Sequence, residues 1–198
     1  MQAGELRGIV ERVLLASLWG GFALGTLGRS LATGSLTGFG LVGVNTLIAG
    51  LFLTRARSQA VSHRPEDWLW ALMGTSLPFA LRVEGPEQLL GTLVQGLGIL
   101  AMLYSLASLR RSFGIVPAQR PIVTRGAYAF LRHPLYVSEL LYFAGVCLSV
   151  PSLWNAGVWL ALAGVQWRRA VLEERFLIAD PVYARYCENV AGRFLPTR

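Results

Sequence analysis

Lysine is absent from the 198 residues, and charge of either sign is scarce: charged residues make up 15%, against about 25% in a soluble domain. That shortfall, together with 54% hydrophobic residues and long uncharged runs, excludes an ordinary soluble globule and places the chain in a bilayer. Without lysine there is no phosphate-loop motif. Cysteine and histidine are also sparse, at two each. Cys147 lies in an apolar run and Cys187 in a polar tail, and His63 is remote from His133, so neither a disulfide framework nor a metal site is expected. No Ser or Cys stands beside a base in a recognisable nucleophile arrangement.

What basic charge there is comes from 18 arginines, which give a net charge of +7. Such a charge is compatible with nucleic acid, but the arginines fall between apolar runs and form no basic face. Membrane topology accounts for them, and no nucleic-acid partner is expected.

In chain order, apolar segments occupy residues 13–27, 36–53, 68–83, 89–107, 135–150 and 153–167. The first follows Glu5 and Glu11 as well as arginines and ends without a small-x-small cleavage site, so it reads as a retained helix. It is short of the about 20 residues a span requires unless residues 9–12 extend it. Gly20, Gly21 and Gly25, and then Gly38, Gly40, Gly43 and Gly50, suggest that the first two segments approach each other closely. Pro65, with Glu66 and Asp67 behind it, marks a helix start, Trp68 and Trp70 an interfacial belt, and Pro78 a kink. Arg110, Arg111, Gly114 and Pro117 make residues 108–119 an interfacial connector, and Pro151-Ser152 turns the last two segments into a hairpin with short arms.

The expected fold is therefore all-α. It is a polytopic membrane protein with about five to six membrane helices, a C-terminal helical hairpin among them, and a cytosolic C-terminal region. Residues 1–107 form the N-terminal helices and 108–198 the core. Placing the amino terminus, residues 55–64, residues 110–132 and the tail on one side puts 16 of 18 arginines there, leaving Arg29 and Arg82 opposite. The positive-inside rule makes that side cytoplasmic.

Two polar clusters on that side carry the chemistry. Arg132, His133, Tyr136 and Glu139 enter the first hairpin arm, and Arg168, Arg169, Glu173 and Glu174 leave the second. Ionisable groups at membrane depth are costly, so several together point to a site. An antiparallel hairpin brings the clusters into one pocket, which suits a ligand with both cationic and anionic groups and an aromatic ring. With no protein nucleophile apparent, a group-transfer cofactor would supply the reactivity.

The stretch Ile122-Val123-Thr124-Arg125-Gly126-Ala127-Tyr128, then Arg132-His133-Pro134-Leu135-Tyr136, then Glu173-Glu174 with Tyr183, Tyr186 and Arg193-Phe194-Leu195-Pro196, resembles the isoprenylcysteine carboxyl methyltransferase family. The superfamily also contains phospholipid N-methyltransferases and membrane thiol methyltransferases. The resemblance covers about residues 109–196 and implies a membrane methyltransferase that uses S-adenosylmethionine. It implies that Arg120, Pro121, Ile122, Val123 and Tyr128 line the cofactor pocket. His133, Pro134, Leu135, Tyr136 and Glu173 would hold the cofactor, and Arg169 would face a lipophilic methyl acceptor entering from the bilayer. An isoprenylcysteine-type carboxylate needs no base. An amine or thiol must first lose a proton, which Glu139, Glu174 or His133 would take. The sequence departs from the family at Ser138, where Gly is common, and at Arg120, where eukaryotic members have His. Phospholipid amine and thiol acceptors and a non-catalytic membrane scaffold remain the alternatives.

Overall fold

The computed structural model describes residues 3–83 and 88–196. Helix α1 (Ala3–Thr33) runs well beyond its expected apolar run at both ends, because the polar residues flanking that run continue the helix. Gly34, at φ +68°, takes the left-handed conformation that ends a helix without a Cβ penalty, and Ser35 then caps α2 (Leu36–Thr54) by accepting from the Gly38 amide at 3.2 Å. The two helices form an antiparallel hairpin, as expected, but most of the glycines do not make it. A Cβ at Gly20, Gly21, Gly25, Gly43 or Gly50 would meet nothing within 4 Å, whereas Gly38 sits against Ser30. Gly38-Phe39-Gly40-Leu41-Val42-Gly43 has the spacing of a dinucleotide-binding turn, yet it lies inside α2 with no strand before it and cannot cradle a phosphate.

The close glycine seam joins α4 (Leu89–Leu109) to α5 (Pro134–Ser149). A Cβ on Gly98 would stand 2.5 Å from the Tyr142 amide nitrogen, and one on Gly145 would stand 2.5 Å from that of Gln95. Small residues let the backbones touch here, and Gln95 Nε2 donates to Ser149 Oγ at 2.9 Å within the seam. Phe52, Met102, Leu106, Phe113 and Tyr142 make the core that locks α2 to this pair.

Helix α3 (Pro65–Ser76) begins on Pro65 as expected, but at 12 residues it covers about 18 Å, too short to span by itself. Pro78 converts the rest of that apolar segment into a 3₁₀ turn over Leu77–Ala80. Helix α3 lies against α6 (Leu153–Leu177), which continues for ten residues past the expected apolar arm. Fully buried Asn155 ties the hairpin turn down: its side chain accepts from the Arg82 amide at 2.9 Å and donates to the carbonyls of Arg82 and Val150. Helix α7 (Pro181–Asn189) is capped by Asp180 and packs Tyr183 and Tyr186 against Leu177 and Ile122.

Two expectations are met in part. The chain is mostly helical rather than wholly so, because β1 (Ala60–Val61) pairs antiparallel with β2 (Ala118–Gln119) and stitches the Arg55–Arg64 loop to the connector. Three helices among the described residues have the length and apolarity to span: Gly8–Thr33, Leu36–Thr54 and Leu89–Ser112. Helix α5 is apolar but only 16 residues long. Leu24, Leu31, Leu36, Leu89 and Leu100 point outward, a surface that suits lipid and not water.

Candidate functional site

Three pieces of backbone converge where α4 ends, α5 begins and α6 leaves the apolar layer. After α4 the chain turns sharply at Arg110, whose φ of 49° is rare for a residue with a Cβ. Gly114 then leaves room for the Arg120 guanidinium: a Cβ there would lie 2.5 Å from Nη1. Gly126, at φ +64°, closes a turn against Ser108, and the Ala127 amide donates to Ser108 Oγ at 3.2 Å. Tyr128 follows that turn, and its carbonyl accepts from the Tyr186 hydroxyl at 2.7 Å. His133 is the residue before Pro134, which opens α5 and cannot donate an amide hydrogen.

From the other side α6 supplies two adjacent carboxylates with different surroundings. Glu173 Oε2 accepts from the Tyr136 hydroxyl at 3.0 Å and lies 3.8 Å from His133 Nδ1. Glu174 accepts from Arg193 at 2.6 and 2.9 Å, from Arg132 Nη1 at 3.3 Å and from His133 Nε2 at 3.1 Å. Burial alone would raise the Glu174 carboxyl, but the hydrogen bonds from Arg193 and His133 and their charges hold it down at about 2. The His133 ring is buried and parallel to that of Tyr136, with centroids 5.4 Å apart. The tail crosses this assembly: the amides of Arg132 and His133 donate to the carbonyls of Gly192 and Arg193 at 2.9 and 3.2 Å.

These residues wall one solvent-open cleft. Arg120, Tyr128, His133, Leu135, Tyr136 and Glu173 line it, and so do Leu109, Ser112, Gly114, Val116 and Arg132, which the sequence motifs did not single out as lining. A turn residue or a stem arginine carries no spacing signal for this role. The other named positions lie elsewhere. The Pro121 carbonyl accepts from Ser112 Oγ at 2.6 Å, Ile122 packs on Tyr183 and Tyr186, and Pro134 is buried at the start of α5. Val123 is not among the lining residues.

The three residues named for catalysis also stand apart from this cleft. Buried Glu139 accepts from the Gln166 amide. Arg169 does not pair with Glu173 along the helix; it donates to Gln166 Oε1 at 2.9 Å and to the Ile115 carbonyl at 3.1 Å, and its guanidinium lies 4.8 Å from the Tyr136 ring centre. Glu174 is committed to its four hydrogen bonds. Arg168, placed by sequence in the second polar cluster, pairs with Glu66 of α3.

One polar atom at the cleft is unmatched. Arg120 Nε is buried with no hydrogen-bond partner among the described residues. Burial, and then the neighbouring charge of Arg55, lowers the Arg120 pKa to about 10. A half-buried cation with an unmatched donor is suited to an anionic ligand.

The family model of phospholipid methyltransferases matches residues 86–184, half of the chain. The chain belongs to the phospholipid methyltransferase family. Comparison with curated proteins finds no match. Membership makes it a member of a membrane methyltransferase superfamily, the one that also holds the isoprenylcysteine enzymes the motifs resemble. The family match takes in α4, α5, α6, Arg120 and the Glu173-Glu174 pair, and it leaves α1–α3 and the Arg193 tail outside. Apolar spans together with this family make the chain an integral membrane protein.

Proposed function

We propose that this family member is an S-adenosylmethionine-dependent methyltransferase acting on a lipophilic acceptor, of the isoprenylcysteine carboxylate or phospholipid amine type. The observation that carries the reading is the convergence of His133, Tyr136 and Glu173 on one cleft with the unmatched Arg120. The donor set fits this cofactor. Arg120 suits its carboxylate, Glu173 accepts hydrogen bonds from an ammonium or a ribose hydroxyl, and Tyr128, Tyr136, Leu109 and Leu135 offer surface to a purine.

When bound, the cofactor supplies a methyl group activated on a sulfonium for in-line displacement. What remains for the protein is alignment and exclusion of water. The Tyr136 hydroxyl fixes the Glu173 carboxylate, and Glu174 fixes the His133 ring by accepting from Nε2. Arg132 and Arg193 in turn hold Glu174, so the wall behind the cleft is rigid from the tail inward. The arginine distribution supports placing the cleft and both termini in the cytoplasm, so that the soluble donor arrives from water and the acceptor from lipid.

Incubating membranes that contain the protein with methyl-labelled S-adenosylmethionine tests the reading. A labelled lipid-extractable product is expected, and its chemical class names the acceptor. Absence of label in every lipid, thiol and prenylated fraction would favour the scaffold alternative.

A further inference from the structure

Tyr136 lines a second, smaller cavity as well as the cleft, and two opposite charges line that cavity with it. Asp67 of α3 is 3% exposed and Arg169 of α6 is 9% exposed, and they form no ion pair among the described residues. Asp67 Oδ2 accepts from Ser62 Oγ, while Oδ1 has no partner among the described residues. The remaining walls are the apolar side chains of Ala71, Ile115, Pro117 and Leu172. A carboxylate oxygen left bare in such surroundings is costly, and Arg169 is the cation that shares the space.

Helix α3 is shaped to receive this guanidinium. A Cβ at Gly74 would stand 2.7 Å from Arg169 Nη1 and 2.8 Å from its Cδ, so the side chain lies where only glycine leaves room. Asp67, Ala71 and Gly74 are spaced i, i+4, i+7 and make one stripe along α3. On its other sides Arg169 donates to Gln166 Oε1 at 2.9 Å and to the Ile115 carbonyl at 3.1 Å, which leaves three of its five donors for the cavity. Its guanidinium carbon lies 4.8 Å from the centre of the Tyr136 ring.

We infer that α3 positions the cofactor cleft through Arg169: Gly74 gives the guanidinium its seat, and Asp67 holds it there by charge through one bridging water. The cavity is about the size of that water and offers it an acceptor at Asp67 and donors at Arg169. Seated so, the guanidinium pins the Tyr136 ring by a cation–π contact. The Tyr136 hydroxyl, 3.0 Å from Glu173 Oε2, then fixes the carboxylate that faces the cleft. Asp67, Gly74 and Arg169 are positioning residues, since none of them lines the cleft. The inference rests on the methyltransferase reading for the ligand that the cleft takes, and it adds α3, which lies outside the family match.

The test uses the full chain in detergent, with its six tyrosines replaced by 3-fluorotyrosine and read by fluorine NMR. The Tyr136 line is the one missing from Tyr136→Phe. Asp67→Asn and Gly74→Ala are each expected to move that line and to weaken S-adenosylmethionine binding by at least about fivefold, the worth of one net hydrogen bond. In the Tyr136→Phe background neither substitution should weaken binding further, because both act through the missing hydroxyl. A Tyr136 line unmoved in either variant would overturn the inference. So would losses of affinity that add to that of Tyr136→Phe, as a merely structural role predicts. Should Asp67→Asn fail to fold, Gly74→Ala decides, since only the flexible end of Arg169 has to yield to its Cβ. A Tyr136 line that moves in both variants of a protein without affinity for S-adenosylmethionine would uphold the positioning and remove the methyltransferase reading.

Discussion

At the scale of single residues, the two neighbouring carboxylates of α6 show how surroundings assign roles. Glu173 keeps one partner hydroxyl and faces the cleft, whereas Glu174 is gripped by two arginines and an imidazole. Because the Glu174 pKa falls from 4.5 to about 2 on folding, its stabilising contribution is complete above about 4.5 and is lost as pH drops toward about 2. Arg193 also lies 4.9 Å from the Trp167 ring, which places a fluorescent reporter at the clamp. In Arg193→Met the carboxyl loses its strongest hydrogen bonds, and its folded pKa moves back toward 4.5. The acid transition of tryptophan fluorescence should therefore shift to higher pH than in the wild type. Coincident transitions would show that Arg193 does not hold Glu174 in solution.

At the scale of elements, the hairpin was readable because Pro134 and Pro151-Ser152 punctuate it, and α2 and α4 because uncharged runs bounded by turn residues leave little choice. The same spacing logic brought His133, Tyr136 and Glu173 together across the hairpin. It failed for the glycines. Glycine in a membrane sequence signals a possible close approach without naming the partner, so the α4–α5 seam at Gly98 and Gly145 could not be told from the open glycines of α1. The burial of Asp67 was hidden for a similar reason: behind Pro65 it reads as an ordinary first-turn acid, and only the packing of α3 on α6 buries it. The two-residue β ladder lacks any strand-length pattern. The glycine distinction is open to measurement. A Cβ at Gly98 meets the backbone of Tyr142, which cannot yield, so Gly98→Ala should cost about 1–3 kcal/mol in thermal stability. Gly21→Ala, with nothing within 4 Å, should be neutral or gain up to about 1 kcal/mol from helix propensity. Equal effects would mean the seam is not tight.

At the scale of the whole molecule, long spans anchor a short hairpin whose polar ends form one wall, and the tail closes over that wall. The matched half of the chain contains every residue that lines the cleft. The central claim is that the cleft between α5 and α6 holds the methyl donor, and calorimetric titration of the detergent-purified protein with S-adenosylmethionine and its demethylated product tests it most directly. The wild type should bind both, and Glu173→Gln should remain folded but bind at least about tenfold more weakly through loss of a charged hydrogen-bond acceptor. No heat with either compound, or unchanged affinity in Glu173→Gln, would contradict the account.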